Sequence, residues 1–398
     1  LKSQACRHRA TPTPNCPDLK VRVDKAFYVE AFNCLVTSLV SPDSLKLGRL
    51  EDLPDVIKAY EASASLARDA CDVQMYARYA QIVAFLKKLE LPLFGDLAEE
   101  NALAKWYESE ARCKEMNRKC LEILRHPLTH EHRELADLLT RLRSEIAPLL
   151  GELPPDLGQV VEFMRFGPKS DLTHAITEGS VPYKLLAPST YPWLGPEVTW
   201  LFENTMFGTL WGYKMPESLY NIAIPTDDWI TICDHAEYSS VPKKIDENRP
   251  IELGPSIAGL LQQAYDGFIR RRLLEVWGCD LRNQEPNKVL ARIGSERGSE
   301  PNSPATIDLT SASDSVSFAL VGMLLPDAWF KILSPLRAKS IVMKDGTIVK
   351  LEKFSSMGNA LTFSLETLIF SAVVRANLRA RGWEGSQWRV YGDDIIVP

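Results

Sequence analysis

The sequence predicts an α+β protein, and three observations predict it. Apolar residues recur at helical spacing over 53–150 and again over 254–277. Between them, from 154 to 242, prolines, aromatics and short apolar runs alternate, the composition of loops and brief strands. In 301–398, β-type runs and helical patterns follow one another, and the last two runs flank a Gly-Asp turn.

In chain order, Val56, Ile57 and Tyr60, then Tyr76, Tyr79, Ile82, Val83, Phe85 and Leu86, give the first region its helical period. Within it, Glu108-Ser109-Glu110-Ala111-Arg112 reads as a solvated helix face, and Cys113 and Cys120, one heptad apart, read as core. His126, His130 and His132 cluster around Pro127, which interrupts the helix; with no accompanying cysteine or carboxylate set they read as surface histidines near a helix end. Trp193, Trp200 and Trp211 in the loop-rich region read as packing residues. The helix over 254–277 ends at Gly278, a C-cap residue type. The remainder reads as strand, helix, hairpin, helix, hairpin.

The chain has 398 residues, 45% of them hydrophobic, enough for two or three subdomains. No apolar run approaches the roughly 18 residues of a membrane span, and Leu1 to Arg9 is basic and polar with no apolar stretch behind it, so no membrane partner is expected. Eight cysteines without a Cys-x-x-Cys pair indicate neither a zinc knuckle nor a disulfide frame, and a reducing cytoplasm fits them. The formal net charge of -6 argues against a surface that grips phosphate everywhere. Any nucleic-acid site must be a local basic channel.

The chemistry concentrates near the C-terminus. Val390 to Val397 reads as two apolar strands joined at Gly392-Asp393, which sets Asp393 and Asp394 at a hairpin tip where a divalent cation would relieve their repulsion. Taken alone, such a turn is an ordinary acidic surface turn. Ala305 to Leu309 is a β-type run that places Asp308 at a strand end, before the small-residue segment Ser311-Ala312-Ser313-Asp314 and a helix from about Ser315. If that strand lies beside the hairpin, the three carboxylates converge and can hold two Mg²⁺ ions ~3.5–4 Å apart, the arrangement of a phosphoryl-transfer site. Phe354-Ser355-Ser356-Met357-Gly358-Asn359 precedes a helical pattern through Thr362, Leu365, Leu368, Ile369 and Ala372; its hydroxyl residues suit either helix capping or a sugar or phosphate. Val241-Pro242-Lys243-Lys244 and Arg249 put positive charge on an extended segment suited to a triphosphate.

In this order the segments resemble the motif series of viral RNA-dependent RNA polymerases. The wording is similar above all to the replicase catalytic subunit of single-stranded RNA bacteriophages, the Qβ-like levivirus family: Ala305 to Ser315, Ser355-Ser356-Met357-Gly358-Asn359, and Tyr391-Gly392-Asp393-Asp394-Ile395-Ile396. The resemblance implies a right-hand polymerase with fingers and palm, the palm's antiparallel sheet carrying the aspartates, and a thumb expected beyond Pro398. It divides the chain into 1–300, a mostly helical N-terminal and fingers region with a basic nucleotide-binding segment at 241–255, and 301–398, the palm with an interleaved fingers hairpin, cut just after the Gly-Asp-Asp turn. Asp308, Asp393 and Asp394 become catalytic metal ligands. Lys243, Lys244 and Arg249 would hold the triphosphate, and Asp314, Ser356, Gly358, Asn359 and Thr362 would shape the nucleotide pocket. The implied cofactor is a pair of Mg²⁺ ions, with Mn²⁺ as a substitute. The implied partners are template and product RNA, ribonucleoside triphosphates, host translation elongation factors and a small-subunit ribosomal protein, in the cytoplasm of an infected bacterial host.

Two features depart from the wider polymerase pattern: five residues separate Asp308 from Asp314 where many relatives have four, and Glu366 stands where an Asn often reads the ribose. A reverse transcriptase shares the carboxylate turn, but usually carries a bulky side chain after its first aspartate, whereas Thr310 to Ser313 are all small. A narnavirus-like or mitochondrial-virus polymerase would change the host and keep the reaction. A non-catalytic RNA-binding protein of the same fold has no use for carboxylates clustered near phosphates.

Overall fold

The computed structural model describes residues 25–40, 45–88, 95–126, 130–168, 170–207, 230–298 and 300–398. They fall into two compact units, Leu1–Lys105 with Ser240–Arg249 and Trp106–Ser239 with Pro250–Pro398.

The first unit is built on α1 (Lys25–Leu39), α2 (Leu53–Asp69) and α3 (Val73–Lys87). A three-residue turn links α2 to α3, with Cys71 at φ 58 and Asp72 capping α3 by accepting the Met75 N–H at 3.0 Å. The helical spacing read from the sequence is realised in one core: Val56, Ile57 and Tyr60 of α2 meet Ile82 and Leu86 of α3 and Phe32 and Val36 of α1. Phe85 and Tyr76 instead face solvent. The unit also takes in the tip of a hairpin, strands β3 (Ala236–Lys244) and β4 (Glu247–Leu253), whose Ile245 joins this core.

The second unit carries the chemistry. Its helices include α4 (Gly95–Arg125, from Trp106 onward) and α5 (His130–Leu150). Short helices α6 (Leu157–Val160) and α7 (Val181–Leu186) and the ten-residue α8 (Gly195–Asn204) follow, with brief parallel strands β1 (Ser189–Thr190) and β2 (Thr231–Ile232). Helix α8 lies where loops and strands were expected. Pro196 in its first turn presets helical φ, and Val198 and Leu201, three apart, bury one face. Helix α9 (Ser256–Trp277) ends as read, with Gly278 left-handed at φ 71. Trp329 fills the interior beside Tyr265 and Phe268, its indole N–H donating to the Gly151 carbonyl at 2.9 Å.

After α10 (Glu285–Arg297), the expected succession appears in full: β5 (Ala305–Ile307), α11 (Phe318–Leu324) and α12 (Asp327–Leu333), the hairpin β6 (Ser340–Val342) and β7 (Ile348–Lys350), α13 (Thr362–Ala380), and the hairpin β8 (Arg389–Tyr391) and β9 (Asp394–Val397). Helix α11 starts three residues later than expected, because Ser313–Ser315 form a separate 3₁₀ turn and Ser317 caps the helix. Besides the β1-β2 pair, a four-stranded sheet has the order β4-β3-β6-β7 and a three-stranded sheet the order β5-β9-β8. Beneath the latter, Val390 and Ile395 pack on Val374 and Leu378 of α13, so the sheet has a fixed support.

Cys113 and Cys120 are core, as expected. The reading of 108–112 as a solvated face needs correction: Arg112 and Glu108 are exposed, but Ser109 and Glu110 are buried. His126 is exposed; the side chains of His130 and His132, and Trp211, lie outside the described residues.

Candidate active site

The aspartates are placed by strand register. In the antiparallel pair β5 and β9, Ala305 faces Val397, Thr306 faces Ile396 and Ile307 faces Ile395, so the next step of the ladder sets Asp308 level with Asp394. On the other side of β9, Tyr391 faces Asp394, leaving Gly392 and Asp393 as a two-residue turn. Gly392 occupies the first central position at φ 62, where a II′-type hairpin turn needs glycine. Thus Asp308, Asp393 and Asp394 share one end of one sheet.

Two contacts fix the turn to α13. The Gly392 N–H donates to Thr367 Oγ1 at 2.9 Å, and the Phe363 ring lies edge-on to Tyr391 with centroids 5.0 Å apart. A Cβ on Gly392 would meet that ring at 2.5 Å, so the close approach of turn and helix requires glycine as much as the dihedral does. Trp193 proves to be a packing residue, stacked on Tyr191 with its N–H on the Pro335 carbonyl.

The carboxylates feel one another. Partial burial, then the Asp393 and Asp308 charges, raise the Asp394 carboxyl above its usual value, against a hydrogen bond from Gln284 Nε2 to Asp394 Oδ2 at 2.8 Å. Glu366 on α13 responds more strongly. Burial first, then the charges of Asp393 and Asp314, push its carboxyl up to about 8, so it holds its proton at neutral pH and is a potential hydrogen-bond donor. Its Oε1 is buried without a partner. Among the described residues no three His, Cys, Asp or Glu side chains are gathered closely enough to enclose a metal ion. The donors nonetheless suit one in kind, since hard carboxylate oxygens with mutual repulsion are what Mg²⁺ takes up.

The segment before α13 is held from several sides. Gly358 sits at φ 106 against β4, where a Cβ would come within 2.1 Å of the Glu252 carbonyl oxygen, and the Glu252 N–H donates to the Met357 carbonyl at 2.7 Å. Gly358 therefore serves the close packing of this segment on β4. Burial raises the Glu252 carboxyl above its usual value, and Ser356 Oγ beside it works against that shift without reaching hydrogen-bond geometry. Asn359 Oδ1 accepts the Leu361 N–H at 2.9 Å while its Nδ2 is buried and unpartnered. Thr362 Oγ1 is committed internally, 2.7 Å from the Ser356 carbonyl and 3.0 Å from Ser355 Oγ. Buried polar atoms lacking partners are uncommon, and those of Asn359 and Glu366 lie in and just after the segment expected to contact nucleotide.

The family model for the RNA replicase beta-chain matches residues 85–398. The chain belongs to this family. It is 45% identical over 159 residues to the RNA-directed RNA polymerase subunit beta of Qbeta virus (strain MX1), a match covering 40% of this chain and 26% of the relative. It is also 42% identical over 159 residues to the same subunit of Escherichia virus Qbeta and 43% identical over 159 residues to the RNA-directed RNA polymerase beta chain of Escherichia phage MS2, covering 26% and 28% of those chains and 40% of this one each time. The matches thus span about a quarter of these curated relatives.

In this replicase-family chain, Lys243, Lys244 and Arg249 belong to the first unit. Their segment is extended, as expected, but the lysines are partnered: Lys243 Nζ lies 2.9 Å and Lys244 Nζ 3.9 Å from Glu247, which Lys105 also contacts at 2.5 Å. Despite partial burial, the Lys105 and Lys243 ammonium groups hold the Glu247 carboxyl at about 2. Thr367, Phe363 and Gln284, which hold the hairpin end at Gly392, Tyr391 and Asp394, were not picked out from the sequence. Thr367 and Phe363 carried a usable signal, since residues one turn apart on a helix share a face.

Proposed function

We propose that this chain forms the catalytic part of a template-directed RNA polymerase, joining ribonucleoside triphosphates on an RNA template by two-metal-ion nucleotidyl transfer. The observation that carries the reading is the register of β5, β9 and β8, which brings Asp308, Asp393 and Asp394 to one sheet end in a replicase-family chain. On this reading 301–398 is palm with an interleaved fingers hairpin, and most of the chain before it is fingers.

Asp308 and Asp393 would hold both Mg²⁺ ions, with Asp394, steadied by Gln284, assisting. Two such ions supply an attacking hydroxyl of lowered pKa and a stabilised pyrophosphate leaving group. The chain's own contribution is placement. Thr367 and Phe363 fix the turn, Asn359 Nδ2 and the protonated Glu366 offer donors to the sugar, and Asp314 accepts from it. Lys243, Lys244 and Arg249 meet the triphosphate, for which Glu247 must yield the two lysines. The relatives are named as polymerase subunits, which supports assembly with other chains; host translation elongation factors and a small-subunit ribosomal protein are the proposed ones. The infected bacterial cell is the proposed setting, and no described helix is long and apolar enough to cross a membrane.

The test is extension of a primed RNA template by the chain in its full reading frame, with ribonucleotides or deoxynucleotides supplied separately. Ribonucleotide extension with deoxynucleotides refused is expected. Preference for deoxynucleotides would make it a reverse transcriptase, and RNA binding without extension of either kind would make it a non-catalytic binder.

A further inference from the structure

Lys353 is wholly buried, yet it is not in the motif series. Its place follows from a short antiparallel alignment: Ser317 pairs with Lys353, the Phe318 N–H donates to the Glu352 carbonyl at 3.0 Å, and the Phe354 N–H donates to the Val316 carbonyl at 2.8 Å. This brings Lys353 alongside the 3₁₀ turn carrying Asp314. Its Nζ donates to Asp314 Oδ1 at 2.9 Å and lies 3.3 Å from Glu110 Oε1, an ion pair without hydrogen-bond geometry. It also stands 4.6 Å from the centre of the Trp106 ring.

The partners are themselves held. Glu110 Oε2 accepts the Glu352 N–H at 2.7 Å. On the same face of α4, Cys113 Sγ donates to the Asp314 carbonyl at 3.4 Å, and Asn117 bridges the two strands, donating to the Glu352 carbonyl at 2.8 Å and accepting the Ala319 N–H at 2.8 Å. Arg337, also buried, donates to the carbonyls of Lys353 and Phe354 at 2.8 and 2.7 Å. The backbone around Lys353 is thus secured without its ammonium. Buried ion pairs are poor sources of net stability compared with apolar packing, so structure alone does not call for a lysine here. What the ammonium adds is a fixed orientation for Asp314, a side chain that acts electrostatically on Glu366 together with Asp393.

We propose that Lys353 is a positioning residue for sugar selection: shared between Glu110 and Asp314, it engages Asp314 Oδ1 and so aims the other carboxylate oxygen at the ribose hydroxyl of the incoming nucleotide. The inference rests on the reading of Asp314 as a nucleotide-contacting residue. Lys353 touches no substrate and acts through Asp314.

The test is single-nucleotide extension by the full-length protein, with kcat and KM measured separately for a ribonucleotide and its 2′-deoxy counterpart. Lys353→Met is expected to raise the ribonucleotide KM by about tenfold, the equivalent of one hydrogen bond to a charged group, while the deoxynucleotide constants stay within about twofold. Asp314→Asn should lose the same preference, and adding Lys353→Met to Asp314→Asn should change nothing further. Should Lys353→Met fail to fold, the double variant Glu110→Gln/Lys353→Met removes the carboxylate left uncompensated and gives the same readout. Parental sugar preference in the lysine variant, beside an Asp314→Asn that has lost it, overturns the inference alone. So does an equal loss for both sugars, or an undiminished lysine effect in the Asp314→Asn background. An Asp314→Asn with parental preference overturns the reading of Asp314 and this inference together.

Discussion

Replacing Glu366 by Gln should stabilise the protein, and by an amount that grows with pH. Glu366 is 5% exposed, one carboxyl oxygen has no partner, and Asp393 and Asp314 add their charges to the effect of burial. Its carboxyl is raised from 4.5 to about 8. Below pH 4.5 the group is protonated in both folded and unfolded chains and contributes no difference. As pH rises from 4.5 towards 8, the unfolded chain releases a proton that the folded chain keeps, and stability falls by up to about 1.4 kcal/mol per pH unit. At pH 7 the loss is roughly 3 kcal/mol, and above about 8 it levels off. Gln has nearly the shape of the protonated acid and no proton to lose, so Glu366→Gln avoids this loss. The assay is denaturant unfolding of both proteins at pH 4.5, 6, 7 and 8 with a chelator present, so that bound cations do not mask the Asp393 charge. Near-equality at pH 4.5 and an advantage of roughly 3 kcal/mol for the variant at pH 7 are expected. A variant less stable than the parent at pH 7, or a difference that does not change with pH, would refute the reasoning.

Gly392→Ala forces a Cβ into the Phe363 ring and a left-handed φ on alanine, and should lower stability by about 1–3 kcal/mol while displacing Asp393 and reducing kcat. In a Phe363→Ala background the clash is gone but the dihedral strain is not, so Gly392→Ala should lower the unfolding temperature there by less than it does in the parent, without becoming neutral. Thr367→Val keeps the shape and removes the acceptor of the buried Gly392 N–H, a cost of about 1–3 kcal/mol. Amide hydrogen exchange at Gly392 should then accelerate more than exchange in the middle of α13; equal exchange in variant and parent would show that the hydrogen bond does not hold the turn.

What the sequence disclosed best was local. Gly278 at a helix end and Gly392 in a hairpin turn are decided by backbone conformation, and the period of Ile82 and Leu86 is decided by one helix face. The sheet end was legible because β-runs bounded by turn residues had few ways to pair, and the register then aligned Asp308 with Asp394. Where partners lie far apart in sequence, the reading failed. Glu110 looks like any charged residue of an amphipathic helix, and its burial depends on Lys353 and on the Glu352 N–H, both more than 200 positions away. Lys243 and Lys244 read as available positive charge, but their pairing with Glu247 exists only once the hairpin has formed. Helix α8 was lost among prolines and aromatics because Pro196, a loop signal in composition, is a favourable residue in a helix's first turn.

The most direct test of the central claim is Mg²⁺-dependent ribonucleotide incorporation by the full-length protein compared with Asp308→Asn and Asp393→Asn, each first shown to unfold like the parent or at a higher temperature. Either substitution is expected to lower incorporation by about a thousandfold or more, because each removes a charge that the reacting phosphates' cations require. Parental incorporation by either variant would contradict it, since the sheet end that joins Asp308 to Asp393 would then not be where the chemistry takes place.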